Sequence, residues 1–384
     1  MKRFQASLVI LALGLIPCVA GEEYPLVQVG LTDGLSDAWG VTVSGKHAYV
    51  AGGLDGLFVV DISNPANPIV VGHAYDGGTA YGVAVSGKCA FLANDYDGLR
   101  IYDVSNPAAP KSIACTNDIL ARARSVAVVG NTAYLANGAL FIYDISDPTF
   151  PKKLGFVIPG PTGNAYDVAV KGNYAYLSSF TDGLRICDVS NPTNPFVISH
   201  TDLSAGNGVS VNISGNHVYV GADWGGLEIF DISNPTNAVR AGGVSGFTWG
   251  VHVAEPIAFF EDAHGFGMFD VSDPSSPVAQ ARAAPGIVRD IDRSGNYIFV
   301  AGSSGLEVFA EKPPLAIQNS GTNTIKISWP AFQIWGFVLQ EAAGLYATNW
   351  TTVTNEPIMM SNVLLQVSLP LLPGERYFRL KFQP

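Results

Sequence analysis

Charge is scarce in this chain and cysteine scarcer: 14% of its 384 residues are charged and four are cysteines. No stretch carries the i, i+3, i+4 apolar spacing of an amphipathic helix, which excludes a helical bundle or an α/β fold. Beyond the N-terminus no apolar run reaches the length of a membrane-crossing helix. A G-x-S-x-G elbow, an H-E-x-x-H pair, a P-loop and a strand-linked G-x-G-x-x-G are all missing, so no catalytic residue, metal site or cofactor is assigned by motif. The formal charge of −11 gives a surface that phosphate backbones and anionic membranes do not seek, and nucleic acid is not an expected partner.

What is present begins with "MKRFQASLVILALGLIPCVAGEEY", two cations followed by an apolar run from Ala6 to Ile16 and small residues at Cys18 and Ala20. This predicts a signal peptide over 1–20, cut after Ala20, and a protein that is secreted, periplasmic or held at the cell surface. Lipidation of Cys18 is the alternative, set against it by Pro17 where a small residue is expected. Loss of Lys2 and Arg3 takes the formal charge from −11 to −13. The remaining Cys89, Cys115 and Cys187 have no C-x-x-C spacing and read as buried small apolar side chains, with a Cys89–Cys115 bridge as the alternative.

A five-residue phrase then organises the chain: "DISNP" at Asp61, "DVSNP" at Asp103, "DISDP" at Asp144, "DVSNP" at Asp188, "DISNP" at Asp231 and "DVSDP" at Asp270. The spacing averages about 42 residues, in the range of propeller blades. Around the second copy, "GVAVS", "CAFLAN", "GLRIYDVS" and "KSIAC" parse as four strands separated by turn residues. Strands such as "LFVVD", "LRIYD" and "LEIFD" are apolar on both faces, as sheets packed between two neighbours require. The phrase itself ends a strand with Pro and supplies turn-forming Asp, Ser and Asn, with a calcium loop as the less suited reading. Six units carry the phrase. A seventh, "VRDIDRSGNYIFVAGSSGLEVFA", lacks a fourth strand, and "YPLVQVGLTDG" near the N-terminus resembles the fourth-strand segment "NPIVVGHAYDG". The fold class expected is therefore all-β, a seven-bladed β-propeller over 24–310 closed by an N-terminal strand.

These units resemble LVIVD repeats, a propeller family of mostly exported or surface-attached proteins, on the pattern GL-x-(I/V)-x-D-(I/V)-S-(N/D)-P. The Gly-His and Trp-Asp marks of WD40 repeats are absent. The resemblance implies the fold and carries no catalytic residues with it.

After the linker "EKPP" (311–314), residues 315–384 hold "TIKISWP", "GFVLQEA", "NWTTVT" and "RYFRLKF", short strands that suggest a small β-sandwich. The series is similar to fibronectin type III modules, with Trp329, Phe337, Trp350 and Phe378 as expected core.

Function is sought where the repeat varies. The residue that begins each innermost strand opens toward the central channel, and in order these are Trp39, Tyr81, Arg124, Tyr166, Asn207, Trp249 and Arg289. Four aromatics, two guanidiniums and an amide suit stacking on, and anchoring of, an anionic or sugar-like ligand. The competing reading is that they plug the channel. The expected role is a non-enzymatic scaffold for a protein or glycan partner. The alternative is a carbohydrate-active enzyme drawing acid and base from Asp167, Asp290, Glu261 or His264, and a third is a structural role in a surface layer.

Overall fold

The computed structural model describes residues 26–311, apart from 76, 118–121, 163, 263–264 and 284–285, and seven short stretches between 316 and 382. The signal-peptide region, Cys18, Trp350 and His264 lie outside the described residues, as do the side chains of Trp329 and Phe337.

Alternating β-branched and aromatic runs broken by Gly pairs and by the Pro phrase fold into seven four-stranded antiparallel sheets. The first blade runs Gly40–Ser44, His47–Ala51, Leu57–Asp61 and Ile69–Ala74 from the channel outward. Blades 2 to 7 repeat that order from innermost strands Ala80–Ser86, Ser125–Val129, Asp167–Lys171, Ser210–Ser214, Gly250–Ala254 and Val288–Ser294. Each innermost strand lies against the next, and that of blade 7 lies against that of blade 1. The result is the closed seven-bladed propeller. Among the described residues no helix is long and apolar enough to cross a membrane.

The missing strand of blade 7 is the N-terminal one. Leu26–Leu31 lies beside Gly305–Glu311, which pairs with Tyr297–Gly302 and then Val288–Ser294. Thr32 N–H donates to the Leu306 carbonyl at 3.0 Å, continuing the pairing past the strand end.

The Leu of the repeated "GL" stands at the start of the third strand in five blades, and Leu57, Leu99, Leu184, Leu227 and Leu306 are all essentially without solvent contact. Each such burial contributes roughly 2 kcal/mol before the entropy of ordering is set against it. The outermost strands differ from the two-faced apolar expectation: Ile69, Phe196, Val239 and Val278 at their starts are each more than half exposed. Blades diverge outward, so the last strand has a neighbour at one side only.

The phrase is a turn, and more than a turn. In all six copies the Asp Oδ1 accepts from the N–H of the Ser two residues on, at 2.7–2.9 Å. The Ser63 hydroxyl and N–H accordingly hold the Asp61 carboxyl below its ordinary range. The Pro carbonyl then reaches the preceding blade: that of Pro107 lies where a Cβ on Gly72 would stand, and Pro65 does the same to Gly30. Gly155 with Pro192 and Gly242 with Pro274 repeat the contact. Gly30 thus occupies in the N-terminal strand the place Gly72 holds in blade 1, the match visible between "LVQVGL" and "IVVGHA".

The three cysteines among the described residues are free thiols: Cys187 is buried, while Cys89 and Cys115 are only partly so. The Cys115 thiol donates to the Asp97 carbonyl and to Asn117 at 3.1 and 3.2 Å.

Residues 310–384 belong to a second compact unit. One of its sheets orders Ala316–Asn319, Thr324–Pro330, Leu364–Pro370 and Ile358–Ser361; the other orders Thr351–Thr352, Phe337–Ala342 and Tyr377–Phe382. Ile327, Leu339, Val367 and Leu369 are buried, and Phe378 is half-buried.

Placing a carboxylate at Val29, 7% exposed in the closing strand, is expected to destabilise the propeller by about 3 kcal/mol in urea unfolding. Val239→Asp, on an exposed outermost strand, is the control and is expected to change stability by less than about 0.5 kcal/mol. Equal effects of the two would contradict closure by the N-terminal strand.

Candidate functional site

Backbone register defines two successive levels of the channel wall. At the mouth, the N–H groups of Trp39, Arg124, Tyr166, Val209 and Trp249 donate to the second strands of their own blades at Ala51, Ala136, Ser178, Gly221 and Glu261. Tyr81 and Arg289 hold the same slot as bulges in their innermost strands, beside Gly82 and Asp290. Six of the seven expected residues therefore share one level. Asn207 does not: Val209 stands in its place, and Asn207 is buried two residues earlier with its amide 3.4 Å from Asp223. The stretch "GNGVSV" satisfies the repeat pattern in two registers two residues apart, and a two-residue slip leaves every side chain on its own face.

Five of these residues, with one neighbour, form a continuous arc. The Arg289 guanidinium lies 4.0 Å from the Trp39 ring, and Trp39 meets Tyr81 edge-on at 4.9 Å. Arg124 follows, 5.8 Å from Tyr81 and 4.0 Å from Tyr166. Tyr166 then stacks on Phe180 at 5.4 Å with planes 17° apart. Trp249 stands apart from it, 47% exposed and edge-on to Phe247 at 5.0 Å.

Phe180 escaped the sequence reading because it lies on a loop, after the second strand of blade 4. Its counterparts are Gly53, Asp95, Gly138 and Asp223, all bridging to the residue just before the next mouth position and all with positive φ. Gly53 leaves room for Trp39, whose indole would sit 2.9 Å from an added Cβ. A phenylalanine at φ 44° is a strained choice, costing on the order of 1–3 kcal/mol, and such strain is held where the surrounding structure uses it. Its only signal in the sequence is that "SSFTDG" replaces "AGGLDG".

One residue deeper lie Gly40, Gly82, Ser125, Asp167, Ser210, Gly250 and Asp290, each the partner of a second-strand residue in its blade. Gly40 and Gly82 are small because the next blade's carbonyls, of Tyr81 and Arg124, stand 2.7 Å from where a Cβ would be. The two aspartates clasp instead. Asp290 accepts from Val41 N–H at 2.8 Å across the closing seam and from Ile291 N–H at 2.9 Å. Asp167 accepts from Val211 N–H of blade 5 at 2.8 Å and from Val168 N–H at 2.7 Å. Asp292, two residues on, repeats the clasp to Val43 N–H at 2.6 Å and stands 3.8 Å from His252.

Glu261 is different in kind. It replaces the Ala51, Ala93, Ala136 and Ala301 of other blades, lies in the space left by Gly250, is 1% exposed, and its Oε2 has no partner. Burial pushes its carboxyl well above the ordinary range, and the charges of Asp290 and Asp167 push it further. Burial also raises Asp290, to about 8, against the pull of the Val41 N–H, with Asp292 and Asp167 adding to the rise. Asp167 is raised by burial, opposed by Ser125 and the Val211 and Val168 amides. Among the described residues no three His, Cys, Asp or Glu side chains are grouped to hold a metal ion.

The repeat is matched by the profile of the LVIVD repeat seven times, at residues 36–76, 77–115, 121–157, 162–202, 205–244, 245–282 and 285–308. The chain belongs to the LVIVD repeat family. No curated protein matches this LVIVD chain. Among solved structures it is similar to the computationally designed Ika8 protein at 10% identity, with a TM-score of 0.53, covering 74% of this chain and 99% of that one. It is also similar to a chain in the crystal structure of the mitotic checkpoint complex at 13% identity, with a TM-score of 0.60, covering 80% and 98%. At such identities the likeness is of fold alone. The LVIVD match covers the blades and says nothing of the arc.

An acid whose pKa is raised by folding keeps its proton in the native state after the unfolded chain has lost it. Stability therefore falls as pH rises from the ordinary carboxylate range, near 4, to about 8, and levels off beyond. Melting temperatures at pH 5, 7 and 9 are expected to decline for the wild type, with a shallower decline for Asp290→Asn, which keeps an acceptor for Val41; parallel declines would contradict a raised Asp290. At the strained loop, Phe180→Gly is expected to be more stable than Phe180→Ala by about 1 kcal/mol, because both lose the ring and only glycine accepts the positive φ freely. The reverse order in chemical unfolding would show that the backbone there is unstrained.

Proposed function

We propose that this LVIVD propeller is a non-enzymatic scaffold, exported after loss of residues 1–20, that binds a glycan or protein partner at the channel mouth. The observation that carries this reading is the unbroken run of cations and rings from Arg289 to Phe180. Rings with half-buried edges and guanidiniums laid on their faces offer flat apolar surface beside fixed N–H donors, the pairing of surfaces that a sugar or a planar anion needs. A plug would need only volume, and aliphatic side chains would supply it. The strain accepted at Phe180 to extend the arc also favours use over filling. The C-terminal unit, with its two small sheets, we read as an appended fibronectin-like spacer or attachment module.

A carbohydrate-active enzyme is the second reading, favoured by the raised carboxyls of Asp167, Glu261 and Asp290. Against it, Asp167 and Asp290 spend their oxygens on backbone N–H groups of adjoining blades. Glycoside hydrolysis ordinarily requires two carboxyls available to the substrate, and only Glu261 is unpartnered.

On a glycan array the wild type is expected to retain at least one glycan class, and Trp39→Ala and Tyr166→Ala are each expected to lose about tenfold or more in affinity for it while still unfolding cooperatively well above the assay temperature. Glycan binding that survives both substitutions would move the site elsewhere, and reducing-end release from those glycans that stops in Glu261→Gln would favour the enzyme.

A further inference from the structure

The two arginines of the arc are not equivalent. Arg289 pairs with the Asp37 carboxylate and donates to the Ala38 carbonyl at 3.1 Å, while the Trp39 indole N–H holds the other Asp37 oxygen at 2.9 Å. That guanidinium is committed to the seam between blades 7 and 1. Arg124 has its face covered by Tyr166 at 4.0 Å and by Tyr81 at 5.8 Å, and among the described residues no carboxylate, carbonyl or hydroxyl accepts from it. In a protein with 32 acidic against 21 basic residues, a half-buried arginine with no acceptor among the described residues is an arrangement that the general charge balance does not produce by itself. Its five N–H donors form a rigid planar fork suited to two oxygens of one oxyanion.

The level beneath bears on which oxyanion. Asp167 follows Tyr166 directly, and Glu261 and Asp290 stand on the same level. A multiply charged phosphate would meet acids there, whereas a singly charged group fixed to a polyhydroxylated ring would meet hydrogen-bond partners. Tyr166, beside Arg124 and half-buried, and Tyr81 on its other side carry hydroxyls of that kind.

Resting on the binding reading above, we propose that the mouth selects an acidic sugar: a singly charged oxyanion on the pyranose pairs with the Arg124 fork while the sugar ring lies on the neighbouring aromatic rings of the arc. Carboxylate and sulfate monoester share this chemistry. Arg124 is then the residue that sets specificity, and Trp39, Tyr81 and Tyr166 supply affinity common to acidic and neutral sugars.

The test titrates the full mature chain calorimetrically, at one fixed salt concentration, with a galacturonic acid trimer, its full methyl ester and a sulfated galactose trimer. At least one acidic probe is expected to bind about tenfold or more tighter than the ester, which keeps the ring and loses only the charge. Arg124→Lys, which keeps the charge and loses the fork, is expected to cost about tenfold on that probe and little on the ester. Trp39→Ala is expected to weaken acid and ester alike. Should the ester match both acids, or should no acidic probe bind, the acidic specificity is wrong; a loss of ester binding in Trp39→Ala would in that event still support the mouth as a glycan site. Binding of the acids that is unchanged in both Arg124→Lys and Trp39→Ala would overturn both proposals.

Discussion

Every other feature of this propeller depends on one contact, the turn of one blade seated on the outermost strand of the blade before it. The Asp of the phrase fixes the turn by accepting from the Ser amide, and the Pro carbonyl that follows is held out against a glycine such as Gly72. At four of the six copies, facing Gly30, Gly72, Gly155 and Gly242, that approach leaves no space for a side chain, while Ala114 and Ser199 hold the equivalent place before the other two. The same contact between Gly30 and Pro65 seats the N-terminal strand as the last strand of blade 7, and the ring ends where it begins.

A closed ring of innermost strands exposes one edge of each to the channel, and unpaired backbone N–H groups on that edge need acceptors. Small residues at Gly40 and Gly82 let neighbouring blades approach directly, while Asp167, Asp290 and Asp292 reach across and accept from the next blade's amides. Two of these clasps join blade 7 to blade 1, whose innermost strands, Val288–Ser294 and Gly40–Ser44, lie far apart in the chain. The carboxyls of Asp167 and Asp290 are in this sense part of the wall. Glu261 is not, since its blade already has Gly250 at the clasp position and its outer oxygen accepts from nothing.

Above that wall the mouth residues are released from packing duty, and there the repeats stop agreeing with one another. Arg289 is tied to Asp37, yet Arg124, between two tyrosines, has no acceptor among the described residues. Phe180 extends the rings at the expense of a strained backbone. Unequal treatment of equivalent positions is what separates a site from a filler: filling would be satisfied by any side chain of sufficient volume, whereas a face-covered guanidinium and a left-handed phenylalanine are local losses that stability alone does not explain.

Strand order, blade number, the closing strand and the turn role of the phrase were legible in the sequence, because each is written in local chemistry: a two-residue period, a proline that cannot donate, a recurring spacing of turn residues. Six of the expected positions fall on one backbone level for the same reason. Asn207 was assigned the place that Val209 holds, since a period of two cannot distinguish registers two residues apart. Glu261 could be noticed as a departure, but not that its carboxyl shares a level with Asp167 and Asp290. By itself the sequence determined the self-similar strands and how they join. Only the tertiary structure decided which odd residues from different blades meet, because distances around the channel are set by ring closure, and residues such as Arg289 and Trp39, 250 positions apart, have no local bonding pattern to announce that they touch.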